Sequence, residues 1–142
     1  MTHSCSDESA ILYKLHSLNK QISSTFEGCT GISQSRLDIL HQLYEVEEIS
    51  QTALQKEINI DSAAVTRHLK QLEANGMVSR RKSQTDNRIT LVRLTDHGRH
   101  KIISFREEKA RFVTQMLDGF SEEERALLGS MLNRIQANLK LV

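Results

Sequence analysis

The stretch from Asp61 to Thr95 limits what this chain can fold into more than any other. It joins one helical period, a glycine stop and two alternating runs around a polar turn. In Asp61–Gly76, Val65, Leu69 and Leu72 recur at three- and four-residue steps, which predicts an amphipathic helix. Ser62, Ala63, Thr66, Arg67 and Lys70 then share another face, small, hydroxyl-bearing and basic. Short side chains let such a helix sink into a DNA major groove while Arg and Lys reach base edges and phosphates. The same face also suits an ordinary solvated surface.

The residues on either side narrow the choice. Asn59, in Ile58-Asn59-Ile60-Asp61, is the non-glycine residue best able to adopt the left-handed conformation of a tight turn. With Ser50 capping a short helix that buries Leu54 and Ile58, and Asp61 or Ser62 capping the next, the pair reads as a helix-turn-helix. Antiparallel helical pairs also occur in proteins that never touch DNA. After Gly76, Met77–Lys82 leaves as a strand, Ser83–Asn87 turns, and Ile89–Leu94 returns with Thr90, Val92 and Leu94 on one face. The expected hairpin carries Arg80, Arg81, Lys82 and Arg88, so helix-turn-helix plus basic hairpin predicts a winged helix. Arg88 is placed in the minor groove, with Arg80, Arg81 and Lys82 on the DNA backbone. Asp86, unfavourable beside phosphates, is expected to pair with a nearby arginine and fix the tip.

Charge distribution agrees. The net charge of the 142 residues is only +1, but residues 61–101 hold nine basic and four acidic side chains against four and eight in residues 1–60. The positive field is therefore concentrated on the stretch that carries the motif. No proline interrupts the chain, which favours long helices. One is expected over Asp7–Glu27, with Ile11, Leu15, Leu18, Ile22 and Phe26 as its stripe and Gly28 and Gly31 as its end. A second, capped by Ser33, turns Leu37, Leu40 and Leu43 or Tyr44 inward.

Thr95 is expected to cap a long helix toward Gly119, and Ser121-Glu122-Glu123-Glu124 fits a capping box before a final helix with Leu127, Leu128, Met131, Leu132, Ile135 and Leu139. A reading lobe of about 65 residues leaves these terminal helices with uncovered apolar surface, which a second copy of the chain would bury most simply, a bundle of the terminal helices within one chain being the alternative. The fold expected is thus mainly α with a small β-hairpin wing, dimeric through its N- and C-terminal helices.

Nothing in the sequence points to an enzyme: no nucleophile–base pair, phosphate loop, metal-ligand spacing or cofactor motif is visible. No apolar run reaches membrane-spanning length and the N-terminus lacks the order of a signal peptide, so a cytoplasmic protein is expected. Cys5 and Cys29 fit no metal spacing; Cys5 is read as a solvent-exposed thiol ahead of the first helix, Cys29 as a partly buried side chain after it.

With these residues in place the sequence resembles the MarR family of bacterial transcription regulators, over nearly the whole chain. The likeness is strongest from Ile49 to Arg99. Asp61-Ser62, Val65-Thr66-Arg67 and Leu72–Val78 resemble the family's recognition-helix region, and Asp86-Asn87-Arg88 through Val92–Thr95 to Gly98-Arg99 resembles its wing signature. The resemblance implies a single domain over residues 1–142, with a winged-helix lobe at 32–97 and dimerisation helices at 5–30 and 98–142. It also implies a homodimer, binding to a pseudo-palindromic operator on double-stranded DNA, and repression released by a small aromatic or amphipathic effector or by oxidation. Family members hold such ligands between the dimer helices and the reading lobe, where Ile11, Leu15, Leu37, Leu40, His41 and Tyr44 are the candidates. Two alternatives remain: a thiol-based sensor using Cys5 or Cys29, and a winged-helix module that binds protein. Asn87 stands where a second wing arginine is frequent, and Asn59 where glycine is usual.

Overall fold

The structure is a computed structural model that describes residues 2–142, with side chains described from residue 7 onward. Six helices and three strands follow in the order α1 (Thr2–Thr30), α2 (Gln34–Tyr44), β1 (Ile49–Ser50), α3 (Gln51–Ile58), α4 (Ser62–Ala74), β2 (Val78–Lys82), β3 (Thr90–Leu94), α5 (Asp96–Met116) and α6 (Glu122–Leu139). They form two compact units, one ending at Lys109 and the other spanning Ala110–Val142.

In the first unit the helix starts follow short-range chemistry. Ser33, Ser50 and Asp61 sit in extended backbone and accept hydrogen bonds from the amides of Arg36, Ala53 and Ala63. Each satisfies a donor that the helix itself cannot. Asn59 has φ 58°, the left-handed turn that ends α3 and lets α4 begin at Ser62. The core is made by Leu37, Ile39, Leu40 and Leu43 of α2, Leu54 of α3, Val65, Leu69 and Leu72 of α4, and Val78, Val92 and Leu94 of the hairpin, with Ile102 of α5. At about 25 cal/mol per Å² of apolar area, burying this set is the main stabilising term of the unit.

The first helix differs from expectation. It runs from Thr2 through Gly28 to Thr30 instead of from Asp7 to Glu27, because an exposed helical glycine weakens a helix without breaking it. Only Gly31, at φ 78°, ends it. Cys5 therefore falls within the helix, although its side chain lies outside the described residues, and Cys29 sits in the last turn, exposed rather than partly buried. The hairpin strands match their expected positions, but a third strand joins them. Ile49 pairs with Val92 and Ser50 with Leu91, giving the antiparallel order β1-β3-β2. Two residues carry too little periodicity to announce a strand.

A Schellman turn converts α4 into the wing: the amide of Gly76 bonds to the Glu73 carbonyl at 3.0 Å and that of Met77 to the Leu72 carbonyl at 2.9 Å. Gly76, at φ 76°, supplies the left-handed residue this turn requires. Thr95 ties the same corner to α5, its hydroxyl donating to the Gly76 carbonyl at 2.6 Å and accepting from the Gly98 amide at 3.0 Å. Helix α4, the hairpin and α5 thus share one junction.

The second unit contains the end of α5 and α6, which opens with a capping box: Ser121 Oγ accepts from the Glu124 amide at 3.1 Å and Glu124 Oε1 from the Ser121 amide at 2.9 Å. No residue of α6 is buried. Leu127, Leu128, Met131, Leu132, Ile135 and Leu139 are all exposed. Among the described residues no helix is long and apolar enough to cross a membrane.

Candidate nucleic-acid interface

The apolar face of α4 goes to the core, and its 100° periodicity leaves Ser62, Ala63, Thr66, Arg67 and Lys70 together on the exposed side. His68, on the flank, is half-buried; burial, then Arg36 and Arg67, hold its imidazole below its ordinary pKa. Gln51, Thr52, Gln55, Ser62, Thr66, Arg88 and Thr90 line a polar groove of about 250 Å³. Helices α3 and α4 and the hairpin therefore border one concave surface.

At the wing, Asp86 and Arg88 form a closed unit. Asp86 Oδ1 accepts from the Arg88 amide at 3.0 Å and from its Nε at 3.1 Å, while Oδ2 accepts from Nη2 at 3.2 Å. The arginine's hydrogen bonds hold the Asp86 carboxyl below the usual carboxylate range. The Arg88 side chain is nevertheless 90% exposed. Its stem direction is set while its charge faces solvent, and Asn87 beside it is exposed.

The three strand cations differ. Arg80 is part-buried and donates through Nη2 to Glu73 Oε1 at 3.1 Å and through Nη1 to Gln51 Oε1 at 3.5 Å. Its Nε is buried without an acceptor among the described residues. Arg81 makes a two-toothed bond to Glu48 at 3.0 and 2.8 Å, which lowers the glutamate's pKa and raises its own. Among the described residues Lys82 Nζ meets a neutral group, the Thr90 hydroxyl at 3.2 Å, and stays exposed. Of the three, Lys82 has the charge least committed within the fold.

The residues proposed for an effector divide likewise. Leu37 and Leu40 are completely buried in the core, Ile11 is 57% exposed, and Leu15, His41 and Tyr44 are half-buried. Arg106 Nη2 lies 3.1 Å from His41 Nδ1 and its guanidinium stacks 4.7 Å from the Tyr44 ring centre, with Arg99 at 5.5 Å. Burial, then Arg106 and Lys109, lower the His41 pKa against the opposing pull of Asp38 and Glu45. No group of three or more His, Cys, Asp or Glu able to hold a metal occurs among the described residues.

Comparison with known proteins decides the family. The MarR family model matches residues 32–90. The chain is 61% identical over 135 residues to the uncharacterised HTH-type transcriptional regulator YdgJ of Bacillus subtilis, covering 95% of this chain and 82% of that protein. The chain belongs to the MarR family. As a member it is a DNA-binding transcription regulator with a winged helix-turn-helix. Solved MarR-family structures share its fold: an E. coli MarR variant complexed with operator DNA (TM-score 0.75, 21% identity, 89% of this chain and 93% of that one). An organohalide-sensing RdhR regulator in its 2,4-dichlorophenol-bound form aligns with TM-score 0.80 at 17% identity, over 92% of this chain and 80% of that one.

The helical period located the α4 face, and the alternating runs on either side of Ser83–Asn87 located the wing. Gln51, Thr52 and Gln55 were missed. Gln51 and Gln55 lie one turn apart on α3, away from buried Leu54, a polar stripe that could have marked the groove.

Proposed function

We propose that the MarR-family chain acts as a homodimeric, cytoplasmic repressor of a pseudo-palindromic operator. The carrying observation is the exposed row Ser62, Ala63, Thr66, Arg67 and Lys70 with Arg88 projecting at the wing tip. In this reading α4 enters the major groove, Arg88 with Asp86 and Asn87 occupies the minor groove, and Lys82 contacts phosphate. Arg80 and Arg81 support the strand and the local positive field while paired to Glu73 and Glu48.

The chain works as one domain over 1–142, with the reading lobe at 32–97 and segments 5–30 and 98–142 as dimerisation helices. The uncovered apolar row on α6, together with exposed Leu12, Tyr13, Leu18 and Ile22 on α1, supports this. Two reading helices about one helical turn apart give a half-site spacing near 10 base pairs.

The effector is a small aromatic or amphipathic molecule held near His41 and Tyr44, where Arg99 and Arg106 offer positive charge. The dichlorophenol-bound relative favours that class of ligand. Exposed Cys29 keeps a thiol-based release as the second reading; replacing Cys5 and Cys29 by Ser abolishes oxidant-induced release if that reading holds.

Fluorescence anisotropy with a labelled operator tests the interface. Arg88→Ala weakens binding by about 1–3 kcal/mol. An Arg88→Ala protein with wild-type affinity refutes the wing assignment.

A further inference from the structure

A chain of hydrogen-bond polarity runs from the wing to the reading face, and it constrains what Thr66 can offer a base. Arg80 is a donor only. Glu73 Oε1 takes one of its protons at 3.1 Å, and its buried Nε finds no acceptor among the described residues. The group it meets on α3 must therefore accept, and Gln51 Oε1 does so at 3.5 Å. Turning the Gln51 amide over would set an NH2 against a guanidinium already short of acceptors. The amide orientation is thus fixed, with Nε2 facing Thr66 Oγ1 at 3.3 Å.

Nε2 can only donate, so Thr66 Oγ1 accepts there, and its single proton goes to the Ser62 carbonyl at 2.9 Å. One acceptor lone pair is left on an exposed hydroxyl. In the major groove adenine N6 and cytosine N4 donate, whereas guanine N7 and O6 and thymine O4 accept.

We propose that Arg80 and Gln51 are positioning residues that make Thr66 a hydrogen-bond acceptor for an amino-bearing base, adenine or cytosine, in each half-site. This rests on α4 being the DNA-reading helix, as argued above. Gln51 touches the reading residue and Arg80 acts through Gln51. Ordinary surface threonines, free to rotate the hydroxyl, would accept either class of base.

The test is selection of binding sites from randomised duplexes by the full-length wild-type protein, followed by affinities for synthetic operators in which the amino group of the preferred base is deleted. Thr66→Val, Gln51→Ala and Gln51→Met are compared, with Arg67→Ala and Arg88→Ala as controls of the reading face, each with its unfolding midpoint measured to confirm folding. Gln51→Met keeps the side-chain length and removes both hydrogen bonds. For wild type, deleting the amino group weakens binding by about three- to tenfold, the scale of one hydrogen bond. Thr66→Val becomes insensitive to the deletion at that same base pair, and both Gln51 variants, in which the Thr66 hydroxyl is released to donate as well as accept, lose the preference for an amino-bearing base there, with other positions unchanged.

A Gln51→Met protein that keeps the wild-type profile overturns the inference, since bulk rather than polarity would then matter. So does a wild-type preference for guanine or thymine at the position that Thr66→Val affects. If Thr66→Val, Arg67→Ala and Arg88→Ala all bind DNA as wild type does, the DNA-reading face itself is wrong. If those three weaken binding while the Gln51 variants retain the profile, only the polarity chain fails.

Discussion

Replacing Gly98 by alanine should damage the junction on which the reading unit depends. A Cβ at this position collides with the Met77 carbonyl oxygen and stands 2.8 Å from Leu94 Cδ1. Neither neighbour can yield cheaply. The Met77 carbonyl accepts the Thr95 amide at 3.0 Å, and Leu94 is buried beside it. Alanine in a helix normally gains about 0.5–1 kcal/mol over glycine. Overpacking costs about 1–3 kcal/mol. Shifting α5 to relieve the clash weakens the Thr95 amide bond and its hydroxyl bond to Gly76, at about 1 kcal/mol each. The balance is a net loss of about 2–4 kcal/mol, or roughly 7–14 °C in Tm for a chain of this size.

The measurement is urea unfolding followed by far-UV circular dichroism at one fixed protein concentration, because association adds stability by mass action. Gly28→Ala is the control. It lies in α1 with nothing within 4 Å of an added Cβ, so it should gain up to about 1 kcal/mol. A Gly98→Ala protein as stable as wild type, or more stable, would refute the close-approach argument.

Other consequences follow from single residues. Lys82→Ala should reduce the salt slope of operator binding by about one and weaken all DNA sequences alike; a change in sequence preference instead would contradict a phosphate role. Asn59→Gly should be nearly neutral by thermal unfolding, whereas Asn59→Val at φ 58° should cost about 1–2 kcal/mol. His41 and His68 have folded pKa values lowered from 6.5, so the unfolded chain takes up protons first as pH falls. Stability present above 6.5 is therefore lost as pH drops toward the folded values, apart from the carboxylates Glu48, Glu73 and Asp86, whose lowered pKa values act in a more acidic window. Urea midpoints between about pH 7.5 and 5.5 should fall for wild type and change less when both histidines become glutamine.

How much was legible depended on the range of the interaction that wrote the signal. The α4 stripe of Val65, Leu69 and Leu72, the Ser33, Ser50, Asp61 and Ser121 caps, the left-handed Asn59 and the Gly76 stop are decided within about one helical turn, and each is where the sequence places it. Asp86 meeting Arg88 two residues away belongs to the same class. The charge excess of residues 61–101 needed no coordinates either.

Partner choice between distant segments was not written locally. Arg80 and Arg81 look alike in sequence as free cations, yet one turns to Glu73 and Gln51 and the other crosses 33 positions to Glu48. The β1 strand exists only because β3 passes beside it, and Gly98 is constrained only because Met77 returns against it. Sequence by itself determined the helices, the turn, the wing and the family, since periodicity, capping and backbone preference act over a few residues. Tertiary structure alone decided which arginines pair with carboxylates and which partners the Thr66 hydroxyl takes, because hydrogen-bond partners are assigned by the path of the folded chain.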